Sequence, residues 1–228
     1  MAWRDDWRRV RAIARKDLTT EFRAKAGFNS VVALGVAVLI LLGFALGPDA
    51  QALRDAAAGA VWLATLFSGV LAFNRSYQLE LENNALDALL QYPGPRWVLF
   101  AGKLLGNLIF VGLMIVVVLV VGAVLFQISW PRDGWGLAAI ITLGMIGFVV
   151  MGTFYAAIAS RVRAREVLLP LLLFPMLVPV LLAATTGSKA ILAGDLMHES
   201  GAWIKLLAAY DVLFLLATMV AFEHVIEA

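Results

Sequence analysis

Six long apolar runs, separated by polar or turn-forming stretches, recur along the chain at about 28–47, 56–74, 99–126, 136–159, 167–186 and 203–222. Each is close to the ~20 apolar residues that cross a bilayer as a helix. The third is long enough to tilt or protrude. Two stretches follow a different pattern. In residues 1–27, Trp3, Trp7, Val10, Ala14, Leu18 and Phe22 recur at three- and four-residue steps, with Arg4, Arg8, Arg11 and Arg15 as a neighbouring stripe. That spacing predicts an amphipathic helix in the membrane interface, aromatic toward lipid and basic toward phosphates. Between the second and third runs lies RSYQLELENNALDALLQYPGPR, residues 75–96. On a helical wheel Leu81, Ala85, Ala88 and Leu89 lie together, Leu86 and Leu90 widen that face, and Glu80, Asn83, Asn84, Asp87 and Gln91 fill the other side. Pro93 and Pro95 then forbid continuation. A helix over about 77–92 with such a face lies in the interface or in a groove of another protein. The plain reading is a surface helix. The sharper one is a coupling helix through which a soluble motor moves a membrane domain.

The predicted fold is therefore all-α: six transmembrane helices in one membrane domain (28–228), preceded by the amphipathic segment 1–27 and interrupted by the cytoplasmic helix near 77–92. Composition agrees. Of 228 residues 62% are hydrophobic and 15% charged, against about 45–50% and about 25% in average globular chains, so no stretch is polar enough for a soluble domain. Cysteine is absent, which excludes disulfides, thiolate metal sites and thiol redox chemistry. The basic N-terminus beside an apolar run reads as a cytoplasmic anchor rather than a nucleic-acid site. The run after it is too long for a signal peptide and reads as a retained first span.

Charge placement orients the chain. Arg161, Arg163 and Arg165 crowd one loop, and Arg75, Arg96 and Lys103 flank the acidic helix. The alternate loops dilute Arg54, Arg132, Lys189 and Lys205 with Asp49, Asp55, Asp133, Asp195 and Glu199. Both termini are expected in the cytoplasm of a bacterial cell, with the protein in its inner membrane.

Chemistry is sparse. No G-x-x-x-x-G-K-[ST] phosphate cradle is present, so any ATP hydrolysis belongs to another chain. No paired carboxylates or nucleophile–base set marks an enzyme. Asp211 lies within the last span, where an unpaired carboxylate is costly; it is either a proton or state-dependent site or is satisfied by Thr or Tyr across a helix interface. Lys103 and Glu223, near span ends, are expected to snorkel. The only histidines, His198 and His224, fall at opposite ends and cannot jointly ligate a haem. Gly43–Gly47 and Gly102–Gly106 match G-x-x-x-G, which permits close helix approach. Pro170, Pro175 and Pro179 are expected to kink or break the fifth span.

Residues 45–110 resemble the haem exporter protein B family, CcmB, of cytochrome c maturation. The resemblance rests on the Gly-Pro-Asp at 47–49, the second span AAAGAVWLATLFSGVLAF, the pattern Leu86, Leu89, Leu90, Pro93, Pro95, and Ala101-x-Lys103. The proline-containing fifth span, 168–188, is also similar, and the likeness runs in order over nearly the whole chain. It departs at the strongly basic N-terminus and at 82–85. The resemblance implies an ABC-2-like permease with ATP hydrolysed by a CcmA-like partner and haem as a ligand it could handle; no cofactor-binding residue is assigned in this chain. It implies a CcmC-like haem-presenting protein, a CcmD-like small subunit and a CcmE-like chaperone whose haem-loaded form is released on the periplasmic side. Leu81, Glu82, Leu86, Asp87, Leu89, Leu90, Pro93 and Pro95 would form the ATPase-docking helix, with two copies of the chain per complex because ABC motors close in pairs. Three other readings stand beside it: an ABC-2 exporter of lipid, drug or glycan, a motorless scaffold for haem-handling partners, and a gradient-driven transporter using Asp211.

Overall fold

A computed structural model describes residues 2–24, 26–82, 95–128, 131, 133–160, 165–195 and 199–227. Among them are seven helices and no strand. α1 is Ala2–Ala24, α2 Ala26–Leu46, α3 Ala50–Glu82, α4 Trp97–Leu125, α5 Gly134–Ala159, α6 Arg165–Leu192 and α7 Ser200–Glu227. Six of these, α2 to α7, are long and apolar enough to cross a membrane. They run up and down. The described turn residues 47–49, 126–128 and 193–195 gather at one end, and α1 with the end of α3 and the start of α4 lies at the other.

The acids that dilute charge in the first set of turns have local work to do. Asp49 Oδ1 accepts from Gln51 N at 2.9 Å and Asp133 Oδ1 from Gly136 N at 2.8 Å. Asp195 Oδ1 accepts from Glu199 N at 2.8 Å, and Ser200 Oγ donates to its other oxygen. Each carboxylate thus satisfies amide donors that a helix start leaves unpaired. Gly47 (φ 74°) and Gly194 (φ 96°) end α2 and α6 in the left-handed conformation that glycine tolerates best.

α3 is the most buried of the six and packs on α2, α4, α5 and α6. Its grip on α5 is reciprocal. A methyl group at Gly69 would strike the Phe148 ring, and one at Gly152 would strike the Phe73 ring. The two rings meet at 5.2 Å between centroids, each glycine making room for the other helix's phenylalanine.

Four expectations change. α3 passes without a break through Tyr77, where the apolar span ends, to Glu82, so 77–82 continue the helix of the second span rather than start a separate one. The rest of the expected coupling helix, from 83, lies outside the described residues. α6 runs through Pro170, Pro175 and Pro179 as one helix. Pro175 and Pro179 face outward while Leu173, Leu177 and Val180 are buried, and the Tyr210 hydroxyl donates to the Met176 carbonyl at 2.8 Å, in the turn where Pro179 removes a donor. α1 does not offer its apolar stripe to lipid alone. Val10 and Ala14 are buried against α4, where a methyl on Gly102 would lie 2.7 Å from Ile13 Cβ and one on Gly106 3.7 Å from Ala14 Cα. The Gly102–Gly106 pair therefore receives a helix, whereas Gly43 faces open space and Gly47 is a cap. Finally, Lys103 does not snorkel: it is 2% exposed.

Candidate functional site

Lys103 is the centre of a polar junction where α1, α3, α4 and α5 meet. An ammonium buried in an apolar bundle is costly unless its donors find partners. Here Nζ lies 3.1 Å from Asp17 Oδ2 on α1, donates to the Ser76 carbonyl on α3 at 2.9 Å, and sits 4.8 Å from the centroid of the Tyr77 ring. One helical turn further along α4, Asn107 continues the network. Its Oδ1 accepts from Ser76 Oγ at 3.0 Å and its Nδ2 donates to Thr153 Oγ1 on α5 at 2.9 Å. The i, i+4 spacing of Lys103 and Asn107 puts both on one face of α4, so four helices are tied through two side chains.

A second charged pair flanks the first. A methyl on Gly27 would press on Glu21 Oε2 and lie 3.0 Å from Arg75 Nη2, so the missing Cβ leaves room for both groups. Burial raises the Glu21 carboxyl above its ordinary 4.5, against the pull of Arg75; Asp17 adds to the rise and Lys103 opposes it. A carboxyl raised on folding binds its proton more tightly in the folded than in the unfolded chain. The folded state therefore loses stability as pH climbs from 4.5 through the raised value. Glu21→Gln is expected to flatten that decline and to melt above the wild type at pH 7, read as Tm in detergent between pH 4.5 and 8. A variant with an undiminished slope would contradict the assignment.

The predicted site residues separate. Leu81 and Glu82 belong to the last turn of α3, with side chains outside the described set. Leu86, Asp87, Leu89, Leu90 and Pro93 lie outside the described residues. Pro95 is exposed, and its carbonyl accepts from Val98 N at 3.1 Å as α4 begins. Thus the connection carrying the leucines leaves from α3 and returns into α4, the two helices joined by Lys103 and Ser76.

Asp211 is remote from this junction. It is 6% exposed at mid-α7 against Gly147, where a methyl would lie 2.6 Å from Oδ1. Neither carboxyl oxygen has a hydrogen-bond partner among the described residues. The expected bond to a tyrosine is not made, because Tyr210 donates to Met176 instead.

Sequence reasoning missed Asp17, Ser76, Lys103, Asn107 and Thr153 as a group. A signal existed in the two polar residues at i, i+4 within an otherwise apolar run. Their partners on other helices carried none.

Comparison with known proteins gives this arrangement a family. The family model described as CcmB protein matches residues 8–228. Heme exporter protein B of Rhodobacter capsulatus is 34% identical over 173 residues, covering 76% of this chain and 79% of that one. The Paracoccus denitrificans protein of the same name is 31% identical over 185 residues, covering 81% and 83%. That of Escherichia coli K12 is 27% identical over 179 residues, covering 78% and 80%. With a family model matched over almost its full length, the chain belongs to the CcmB family.

Proposed function

We propose that this chain is the membrane subunit of a haem export system, moved by ATP hydrolysis in a separate CcmA-like subunit. The segment from Leu81 to Pro95 docks on that ATPase, and closure of two ATPase copies drives two copies of this chain. The output is haem handling and release of a haem-loaded, CcmE-like chaperone at the periplasmic face, beside CcmC-like and CcmD-like partners. Both termini face the cytoplasm of a bacterial inner membrane, in keeping with the basic residues of α1 and of the 161–165 loop.

The observation that carries this reading is the route of the docking segment. It joins α3 to α4, and the pair is held to α1 by the Lys103–Asp17 contact and to α5 by the Asn107–Thr153 bond. A push on the segment therefore reaches four helices as a unit. A soft, wholly apolar interface there would let α3 and α4 slide instead.

The test is co-purification of a Walker-motif ATPase with the full-length chain from native membranes. Leu89→Asp with Leu90→Asp is expected to abolish association and cytochrome c maturation while the chain still inserts. Intact association in that variant would refute the docking assignment. The unpartnered carboxyl of Asp211 favours a second reading, a gradient-driven transporter. Asp211→Asn separates the two, since it should leave ATPase association and maturation unchanged if the chain is ATP-driven and abolish transport if a proton site is at work.

A further inference from the structure

At the end of the bundle opposite the polar junction, α3, α4, α5 and α6 do not close on one another. They leave a cavity of about 310 Å³ that extends between Ala57 and Thr65 along α3. Small side chains create it: Ala57 and Ala58 on α3, Ala123 on α4 and Ala138 on α5. Ordinary interiors leave few voids larger than a water molecule, and this volume is of the size that takes small molecules. One wall reaches the outside of the bundle, because Val120, which lines it, is 61% exposed.

Its polar groups are few and specific. Trp62 Nε1 donates to Ser188 Oγ at 3.2 Å, which fixes the indole as a wall. Thr65 is 1% exposed and its hydroxyl has no hydrogen-bond partner among the described residues. Thr19, Thr20, Thr142 and Thr218 all donate to the carbonyl four residues back, the usual resort of a helical threonine. Thr65 does not, and it borders the cavity.

The cavity also has a charged mouth. It shares Ala58, Ile128 and Leu192 with an adjoining hollow of about 400 Å³ lined by Arg54 and Lys189. Neither cation has an ion-pair partner among the described residues, while the one acid there, Asp55, accepts from Gln51 Nε2 at 3.1 Å. Arg54 precedes Thr65 by eleven residues, or about 16 Å of helix.

We infer that this is a binding site for an anionic amphiphile, its carboxylate or phosphate held by Arg54 and Lys189 and its apolar body in the cavity beside Thr65. Two sources share that chemistry: a porphyrin with propionate groups and an acidic phospholipid entering past Val120. The porphyrin source rests on the haem reading above; the site does not. Among the described residues no His, Met, Cys or Tyr lines either hollow, so the contacts inferred for a porphyrin are those of its propionates and its apolar ring.

The test uses the full-length chain in nanodiscs of neutral phosphatidylcholine, titrated with free-base protoporphyrin IX and, separately, with discs doped with phosphatidylglycerol. One or both probes should bind saturably. Arg54→Gln with Lys189→Gln should weaken that binding at least tenfold, and Ala138→Trp, which fills the cavity from an exposed wall, should abolish it. Competition between the probes then tells which source the site prefers. Because Arg54, Lys189 and Ala138 are exposed, these variants should fold, with Tm as the check. Absence of saturable binding by either probe, or binding untouched by both sets of variants, overturns the site. ATPase association of the same variants is measured in parallel, so loss of this inference leaves the docking result standing.

Discussion

Asp17→Asn is expected to be among the most destabilising polar substitutions in the chain, and more damaging than Lys103→Met. Breaking a buried pair by removing one partner typically costs about 3–5 kcal/mol, because the remaining charge stays buried without compensation. The two halves differ in what they leave behind. Without Asp17, the ammonium of Lys103 stays 2% exposed and loses its 3.1 Å carboxylate contact. Without Lys103, the Asp17 carboxylate is 18% exposed and still lies 3.2 Å from Lys16 Nζ. It can turn toward water. The double variant Asp17→Asn, Lys103→Met should recover part of the loss, since neither charge of the pair then stays behind in the junction. Thermal unfolding of the four proteins in detergent measures the ordering. Additive losses, or a Lys103→Met loss larger than that of Asp17→Asn, would contradict the account.

Gly152→Ala should be nearly as damaging, for a steric reason. Overpacking a close-packed interior typically costs about 1–3 kcal/mol, and here the added methyl would overlap the ring of Phe73, which is fully buried and cannot swing aside. Phe73→Leu alone leaves a void and loses contact with Phe148. Combined with Gly152→Ala, it gives the methyl the space it needs, so the double variant should melt above the sum of the two single losses. Gly43→Ala is the control. Nothing lies within 4 Å of the added methyl, and alanine is the better helix former by about 1 kcal/mol. A Gly152→Ala protein as stable as Gly43→Ala would show that α3 and α5 are not interlocked in this way.

Both predictions concern residues whose importance the linear pattern hides. The spans themselves were legible because each needs about twenty apolar residues in a row, and that requirement is written along the chain. All six apolar runs became helices of α2 to α7. Their ends were less legible. α3 begins at Ala50 rather than near 56 and continues to Glu82, since a helix can extend past the hydrocarbon as long as its backbone bonds are made. The caps at Asp49 and Asp133, and the loop bonds of Asp195 to Glu199 and Ser200, looked like charge balance because such an acid differs from any other loop acid only in its geometry. The prolines of α6 were read locally as kinks or breaks; the helix does not break, two of them sit on the outward face, and a tyrosine from α7 bonds a carbonyl in the same turn.

The sequence by itself determined the class of the protein, the number of its spans, the amphipathic first helix and the family pattern, because each depends on residues near one another along the chain or on composition. The tertiary structure alone decided which glycines receive a neighbouring helix, that Lys103 is buried against Asp17 rather than lifted toward water, and that Thr65 borders an open cavity. The reason is one of range. Helix formation and membrane insertion act over a few turns of a single segment, whereas the partner of a buried charge or ring lies on another segment and is set only when the helices pack.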